Sequence, residues 1–156
     1  MMKVFLLIGI VALFYFTTAH AQKDYSYLDN EKGTSMEPIL ARAEPLVQEI
    51  ERDDYEIVRM EYDLIFTEKD TYRNLFEGWT YGIAAFGDYR IKDIDLTVFK
   101  QSRGKWEKIA EDAENDDVAT VSIKPHQNEE YKIVISVYKF NKDYNVGHYG
   151  LIVFHE

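Results

Sequence analysis

The sequence contains no cysteine, and this absence removes several classes of protein at once. Domains stapled by disulfides, zinc sites built from thiolates and cysteine nucleophiles all require a residue that the chain does not have. No Asn-x-Ser/Thr sequence offers an acceptor for an N-linked glycan either. A folded domain of this chain must therefore be stabilised by apolar burial, to which a bound metal ion could add.

Basic residues are scarce, because 18 Lys and Arg stand against 28 Asp and Glu, which gives a formal net charge of −10. So acidic a chain repels the phosphates of nucleic acids and the headgroups of anionic lipids. We therefore expect neither nucleic acid nor an anionic membrane surface as a partner. The same charge favours solubility and the binding of cations.

Motifs of the common hydrolases are missing as well. The sequence has neither the HExxH helix of zinc proteases nor the GxSxG turn of serine hydrolases. The histidines that follow the N-terminal segment are His126 in a predicted turn, His148 at the start of a predicted strand and His155 beside the last residue. The sequence predicts a non-catalytic protein, and a small hydrolase that uses two carboxylates is the least favoured alternative.

The first 21 residues have the pattern of a secretory signal peptide. Lys3 precedes an unbroken apolar run, VFLLIGIVALFYF at 4–16, and Ala19-His20-Ala21 places small residues where signal peptidase cleaves. The run is shorter than the ~20 residues that span a bilayer. We predict cleavage after Ala21, no stable membrane span afterwards, and a secreted or periplasmic location. Export without disulfides or glycans favours a bacterial origin, and loss of Lys3 leaves 17 basic against 28 acidic residues, a net charge of −11.

A polar stretch at 22–34 is predicted to be a flexible leader, and an amphipathic helix is predicted at 35–53. Thr34 or Ser35 can cap this helix, and Pro38 suits its first turn. Pro45 predicts a kink or two short helical turns, because an internal proline costs ~3 kcal/mol. We expect the helix to cover one side of the following domain with an apolar stripe formed by Met36, Ile39, Leu40, Ala43, Leu46, Val47 and Ile50.

From Tyr55 onward the apolar residues recur at every second position, which is typical of half-buried antiparallel strands. Turn signals rich in Gly, Asn, Asp and Pro separate these segments at short intervals. Such a pattern predicts an all-β sandwich or barrel. The eight predicted strands lie at about 55–66, 71–77, 79–88, 93–100, 105–110, 118–124, 131–140 and 148–156.

The order of these segments resembles the bacterial pre-peptidase C-terminal domain. The resemblance rests on LFEGWTYGIAAFGD, DIDLTVF, a hairpin, AEDAENDDVATVSIKP and EEYKIVISV, and it covers roughly residues 55–156. It implies an eight-stranded antiparallel, jelly-roll-like β-sandwich at 54–156, preceded by the one N-terminal helix, and a non-catalytic role. Some members of this family bind calcium or extracellular matrix. Here a signal, a leader and a helix precede the domain where the family usually has a peptidase.

Acidic residues supply the candidate metal ligands. Asp93 and Asp95 are two positions apart, so both are predicted on the solvent side of one strand, ~7 Å from each other. Calcium takes six to eight oxygens, which the acidic loop at 111–117 could help to supply. The candidates are Asp88, Asp93, Asp95, Asp112, Asp116 and Asp117. The alternative is a set of solvated acids, some paired to nearby bases, with no cofactor at all.

Aromatic residues supply the candidate ligand surface. Trp106, Tyr144 and Tyr149 are predicted to contact an extracellular protein or a polysaccharide, whereas Trp79 is predicted in the core. The sequence therefore predicts a secreted binding or accessory module with a calcium site as an option. A purely structural or self-associating extracellular domain is the alternative.

Overall fold

A computed structural model of the chain describes residues 35–156 as one helix followed by eight strands. The predicted signal peptide at 1–21 and the predicted leader at 22–34 lie outside the described residues. The elements are α1 (Glu37–Arg52), β1 (Glu56–Ile65), β2 (Glu68–Leu75), β3 (Tyr81–Gly87), β4 (Ile91–Ser102), β5 (Lys105–Asp112), β6 (Val118–Ile123), β7 (Glu129–Phe140) and β8 (Gly147–His155).

The strands form two four-stranded antiparallel sheets that face each other. Sheet A has the order β1-β8-β3-β6 and sheet B has the order β2-β7-β4-β5. These two orders are those of a jelly roll, in which the chain passes back and forth between the layers. The predicted all-β class, the jelly-roll-like sandwich and the single helix before it are confirmed.

The main core lies between the two sheets. Alternate residues of each strand point inward, such as Ile83 and Ala85 of β3 and Ile133 and Ile135 of β7, and all four are fully buried. This alternation is the period-two pattern of the sequence, since successive side chains of a strand point to opposite faces.

A second apolar cluster lies on the outer face of sheet A, where α1 packs. The helix buries one stripe against Ala84 and Phe86 of β3 and against Ile152 and Phe154 of β8. A Cβ built on Gly150 would lie 2.2 Å from a ring atom of Phe86, so glycine is what lets this ring lie flat on β8. Sheet A is therefore covered on both faces, and the helix stripe consists of Ile39, Ala43, Leu46 and Ile50.

The helix runs without interruption through Pro45, so the prediction of two short turns is wrong. The proline removes one hydrogen bond inside the helix, and burial of the apolar stripe offsets that cost. At the start of the helix, the Oγ of Ser35 accepts a hydrogen bond from the backbone N–H of Glu37 at 3.2 Å.

Ion pairs close the edge of the sandwich between β1 and β2. Lys69 Nζ lies 2.8 Å from Asp63 Oδ2, and Glu61 pairs with Arg73 and with Arg59. These charged residues of β1 alternate with Tyr62, whose ring packs edge-on against Phe86 on the helix side. The apolar side of β1 thus faces α1, and its charged side faces β2.

Packing of α1 can be tested with two adjacent residues of the helix. Ile39 is 0% exposed and Leu40 is 50% exposed. We expect Ile39→Ala to lower the free energy of unfolding by about 2–5 kcal/mol, measured by urea denaturation. Leu40→Ala should change it by no more than about 0.5 kcal/mol. Equal effects of the two substitutions would show that the helix is not packed as described.

Candidate functional site

Five acidic side chains gather where β4 begins and the β5–β6 loop folds back, and we call this group the acidic corner: Asp93, Asp95, Glu111, Asp112 and Asp116. Two backbone hydrogen bonds hold the loop there. Ile94 N–H donates to the carbonyl of Asp116 at 2.9 Å, and Gly87 N–H donates to the carbonyl of Asp117 at 3.0 Å. Four of the six predicted metal ligands therefore lie near enough to this corner for their charges to interact.

Asp93 is not on the solvent side of β4, so that part of the prediction is wrong. The side chain is 4% exposed, and its Oδ1 has no hydrogen-bond partner within residues 35–156. The reason is a pair of register shifts in the β4–β7 ladder, one on each side of Asp93. Such irregularities interrupt the alternation of faces, so Asp93 does not lie on the solvent side that alternation predicts. Asp95, two residues on, is partly exposed.

Burial and mutual repulsion raise the pKa values of acids in the corner. The pKa of Asp95 is raised above its ordinary value by burial and by the charges of Asp93, Glu111 and Asp112. The pKa of Asp116 is raised by burial and by neighbouring acids, although a hydrogen bond from the backbone of Val118 opposes the shift. Either a proton or a cation relieves this repulsion.

Several of these carboxylates already have partners. Asp112 accepts hydrogen bonds from the backbone N–H groups of Glu114 (3.2 Å) and Thr120 (2.8 Å). Asp117 pairs with Arg42 of α1 at 2.6 Å, which ties the loop to the helix. Within residues 35–156, no three His, Asp or Glu side chains are grouped as a metal site. Calcium at the acidic corner stays a prediction, with Asp93 and Asp95 as its main carboxylates.

Asp88 lies apart from the corner, in a buried network with Arg90 and His148. Its Oδ2 accepts hydrogen bonds from Arg90 Nε at 2.9 Å and from the backbone N–H of His148 at 3.1 Å. Arg90 Nη2 lies 2.5 Å from His148 Nδ1. Because a guanidinium can only donate, Nδ1 must accept, and the imidazole is neutral. Asp88 therefore forms an internal ion pair with Arg90 and is not one of the carboxylates of the acidic corner.

The three predicted ligand-surface residues lie in three different places. Trp106 is on the outer face of sheet B, where its ring centroid lies 5.7 Å from that of Tyr72. Tyr144 lies in the β7–β8 loop. Its ring packs edge-on against that of Tyr89, with centroids 5.7 Å apart. Tyr149 is buried in the main core. The three residues therefore do not form one continuous ligand surface.

Trp79, which was expected in the core, is exposed. Its ring lies against His155, with centroids 4.2 Å apart, and Tyr81 meets the same imidazole edge-on at 5.6 Å. His155 thus contacts two aromatic rings at one end of the sandwich.

Comparison with solved structures found several small sandwiches. The chain is similar to the pre-peptidase C-terminal domain of a collagenase from Bacillus anthracis, with 13% identity, a TM-score of 0.49, and 61% of this chain and 87% of that chain covered. It is similar to PliG of Aeromonas hydrophila, a periplasmic inhibitor of g-type lysozyme, with 13% identity and a TM-score of 0.41. That similarity covers 65% of this chain and 86% of PliG. It is also similar to a CBM4 structure, with 14% identity and a TM-score of 0.38. That similarity covers 66% of this chain and 79% of the other chain.

A pre-peptidase C-terminal domain, the family that the order of segments resembles, is thus among the similar structures. At these identities the similarity concerns the fold alone. No protein-family model matches the sequence, and a search of curated proteins found no match. Within residues 35–156, no helix has the length and apolar character needed to cross a membrane.

The network around His148 predicts that the free energy of unfolding depends on pH. Burial and the charge of Arg90 lower the pKa of His148 below its ordinary value of 6.5, although Asp88 and Asp63 oppose this shift. The unfolded chain therefore takes up the proton first, and the free energy of unfolding should fall as the pH drops below 6.5. His148→Asn keeps an acceptor for Arg90 and should remove this part of the pH profile.

The measurement is urea denaturation at a series of pH values from about 7.5 down to about 5. His126→Asn, at an exposed position of the β6–β7 loop, is the matched control and should keep the wild-type slope. A His148→Asn profile parallel to that of the wild type would contradict the assignment of a neutral, buried imidazole.

Proposed function

We propose that this protein is a secreted, non-catalytic binding module whose acidic corner takes up calcium. The observation that carries the proposal is the Oδ1 of Asp93, which is buried without a hydrogen-bond partner in the described part of the chain. A buried carboxylate that lacks partners is costly, so the site favours any ligand that compensates its charge.

Calcium suits this position because it is a hard cation that accepts carboxylate, carbonyl and water oxygens in a flexible shell. Asp93 and Asp95 would supply the carboxylates, and water would complete the coordination. The net charge of −10 raises the local concentration of cations around the protein. Burial is the largest cause of the raised pKa of Asp95, and a bound divalent ion would relieve the added repulsion by Asp93, Glu111 and Asp112.

A non-catalytic role is supported by two of the three histidines in residues 35–156. His148 contacts Arg90 in the buried network, and the imidazole of His155 contacts the rings of Trp79 and Tyr81. Both imidazoles are buried, so a substrate has little access to them. Secretion is supported by the signal-like N-terminal sequence, and the partner is then an extracellular protein or polysaccharide.

Calcium binding can be tested by thermal melting in calcium against a chelator. A site saturated at about 100 times its dissociation constant adds ~2.7 kcal/mol to the free energy of unfolding, so the wild type should melt at a higher temperature in calcium. Asp93→Asn should lose this shift. In the chelator it should melt at or above the wild-type temperature, because the uncompensated buried charge is gone.

Glu130→Gln removes one negative charge from an exposed position of β7 and serves as the control, with the full calcium shift retained. An unchanged wild-type melt in calcium would refute the cation site, as would a full shift in Asp93→Asn.

A further inference from the structure

The two sheets differ in whether a helix covers their outer faces. The outer face of sheet A is covered by α1, which packs on β1, β3 and β8. In the described part of the chain, no helix covers the outer face of sheet B, where polar residues alternate with a few aromatic ones. A ligand of the sandwich therefore finds an open face on sheet B.

Two aromatic side chains meet across this open face. Tyr72 belongs to β2 and Trp106 to β5, which are the two edge strands of sheet B. Three strand spacings of ~4.8 Å put those edges ~14 Å apart, yet the two ring centroids lie only 5.7 Å apart. Both side chains must therefore lean over the central strands and do not stand out into solvent.

The strand register shows what lies between them. Tyr72 is opposite Lys132 of β7, Lys132 is opposite Phe99 of β4, and Trp106 is opposite Gln101 of β4. All of these share the outer face with Val134, which is only 8% exposed although it points away from the core. Tyr72, Phe99 and Trp106 thus share the outer face of sheet B, with the rings of Tyr72 and Trp106 tilted by 55° to each other, and we call this patch the aromatic platform.

Polar groups surround the aromatic platform. Asp70 Oδ2 accepts a hydrogen bond from the hydroxyl of Tyr72 at 3.3 Å and pairs with Lys132 Nζ at 3.2 Å. Asn74 and Gln101 lie on the same face and are exposed. Donors and acceptors are therefore fixed beside the faces of the rings, within reach of the hydroxyl groups of a bound molecule.

We propose that the aromatic platform binds a neutral polysaccharide. The C–H face of a pyranose ring stacks on an aromatic face, whose negative potential attracts the slightly positive hydrogens. The ring hydroxyls hydrogen-bond to Asp70, Lys132 and Gln101. This proposal rests on the binding role proposed above and names the ligand class.

Charge and area distinguish this ligand from others. An anionic polymer is repelled by a chain of net charge −10. A stable protein partner requires ~800 Å² on each side with an apolar centre, whereas two partly exposed rings within a polar surround make a narrower patch. A neutral glycan chain needs only such a strip of rings flanked by hydrogen-bonding groups.

The test is affinity electrophoresis of the full mature chain in native gels that contain hydroxyethylcellulose, xylan, laminarin or glycol chitin, with polygalacturonate as the anionic comparison. We expect retardation by at least one neutral polymer, and a weakening of about tenfold or more in both Trp106→Ala and Tyr72→Ala. Trp79→Ala removes an exposed aromatic residue at the end of the sandwich and should bind like the wild type.

A second measurement uses the fact that the chain has only two tryptophans. Trp79→Phe leaves Trp106 as the sole indole, so the retarding polymer should shift or quench its emission. No retardation by any neutral polymer, retardation by polygalacturonate alone, or wild-type binding by Trp106→Ala and Tyr72→Ala would each overturn the proposal. The calcium melt is independent of these outcomes, so failure here is distinguishable from failure of the cation site.

Discussion

The enclosure of β8 is the constraint on which the rest of the structure depends. Every residue of Gly147–His155 is buried, because β1 and β3 pair with its two edges, the main core covers one face and α1 covers the other. Leu151 and Val153 face the core, whereas Ile152 and Phe154 face the helix. A strand apolar on both faces must be covered on both faces, so α1 is part of the fold and not an appendage.

The enclosure also distinguishes the two sheets. Within residues 35–156, the helix covers the outer face of sheet A, whereas no helix covers the acidic corner or the outer face of sheet B. The two places are connected by β4, which contributes Asp93 and Asp95 to one and Phe99 to the other. Arg42 of α1 pairs with Asp117 and so links the helix to the β5–β6 loop, whose backbone also bonds to Gly87 and Ile94. The β5–β6 loop therefore contacts the helix and both sheets.

The sequence predicted the fold class because alternation within a strand is local and survives in the folded chain. It could not predict which strands pair, so the meeting of Tyr72 with Trp106 across β7 and β4 was missed. Alternation also fails where a ladder is irregular, as at Asp93, and where both faces are buried, as at Tyr149. Those two side chains were expected in solvent for the same reason: a half-buried strand was assumed.

The most direct test of this account is hydrogen–deuterium exchange of the mature chain, followed peptide by peptide with calcium and with chelator. The account predicts the slowest exchange in 147–155, faster exchange in the edge strands β2 and β5, and calcium-dependent protection confined to peptides that cover 91–95 and 111–118. Exchange of 147–155 as fast as that of the edge strands, or calcium protection centred on α1, would contradict it.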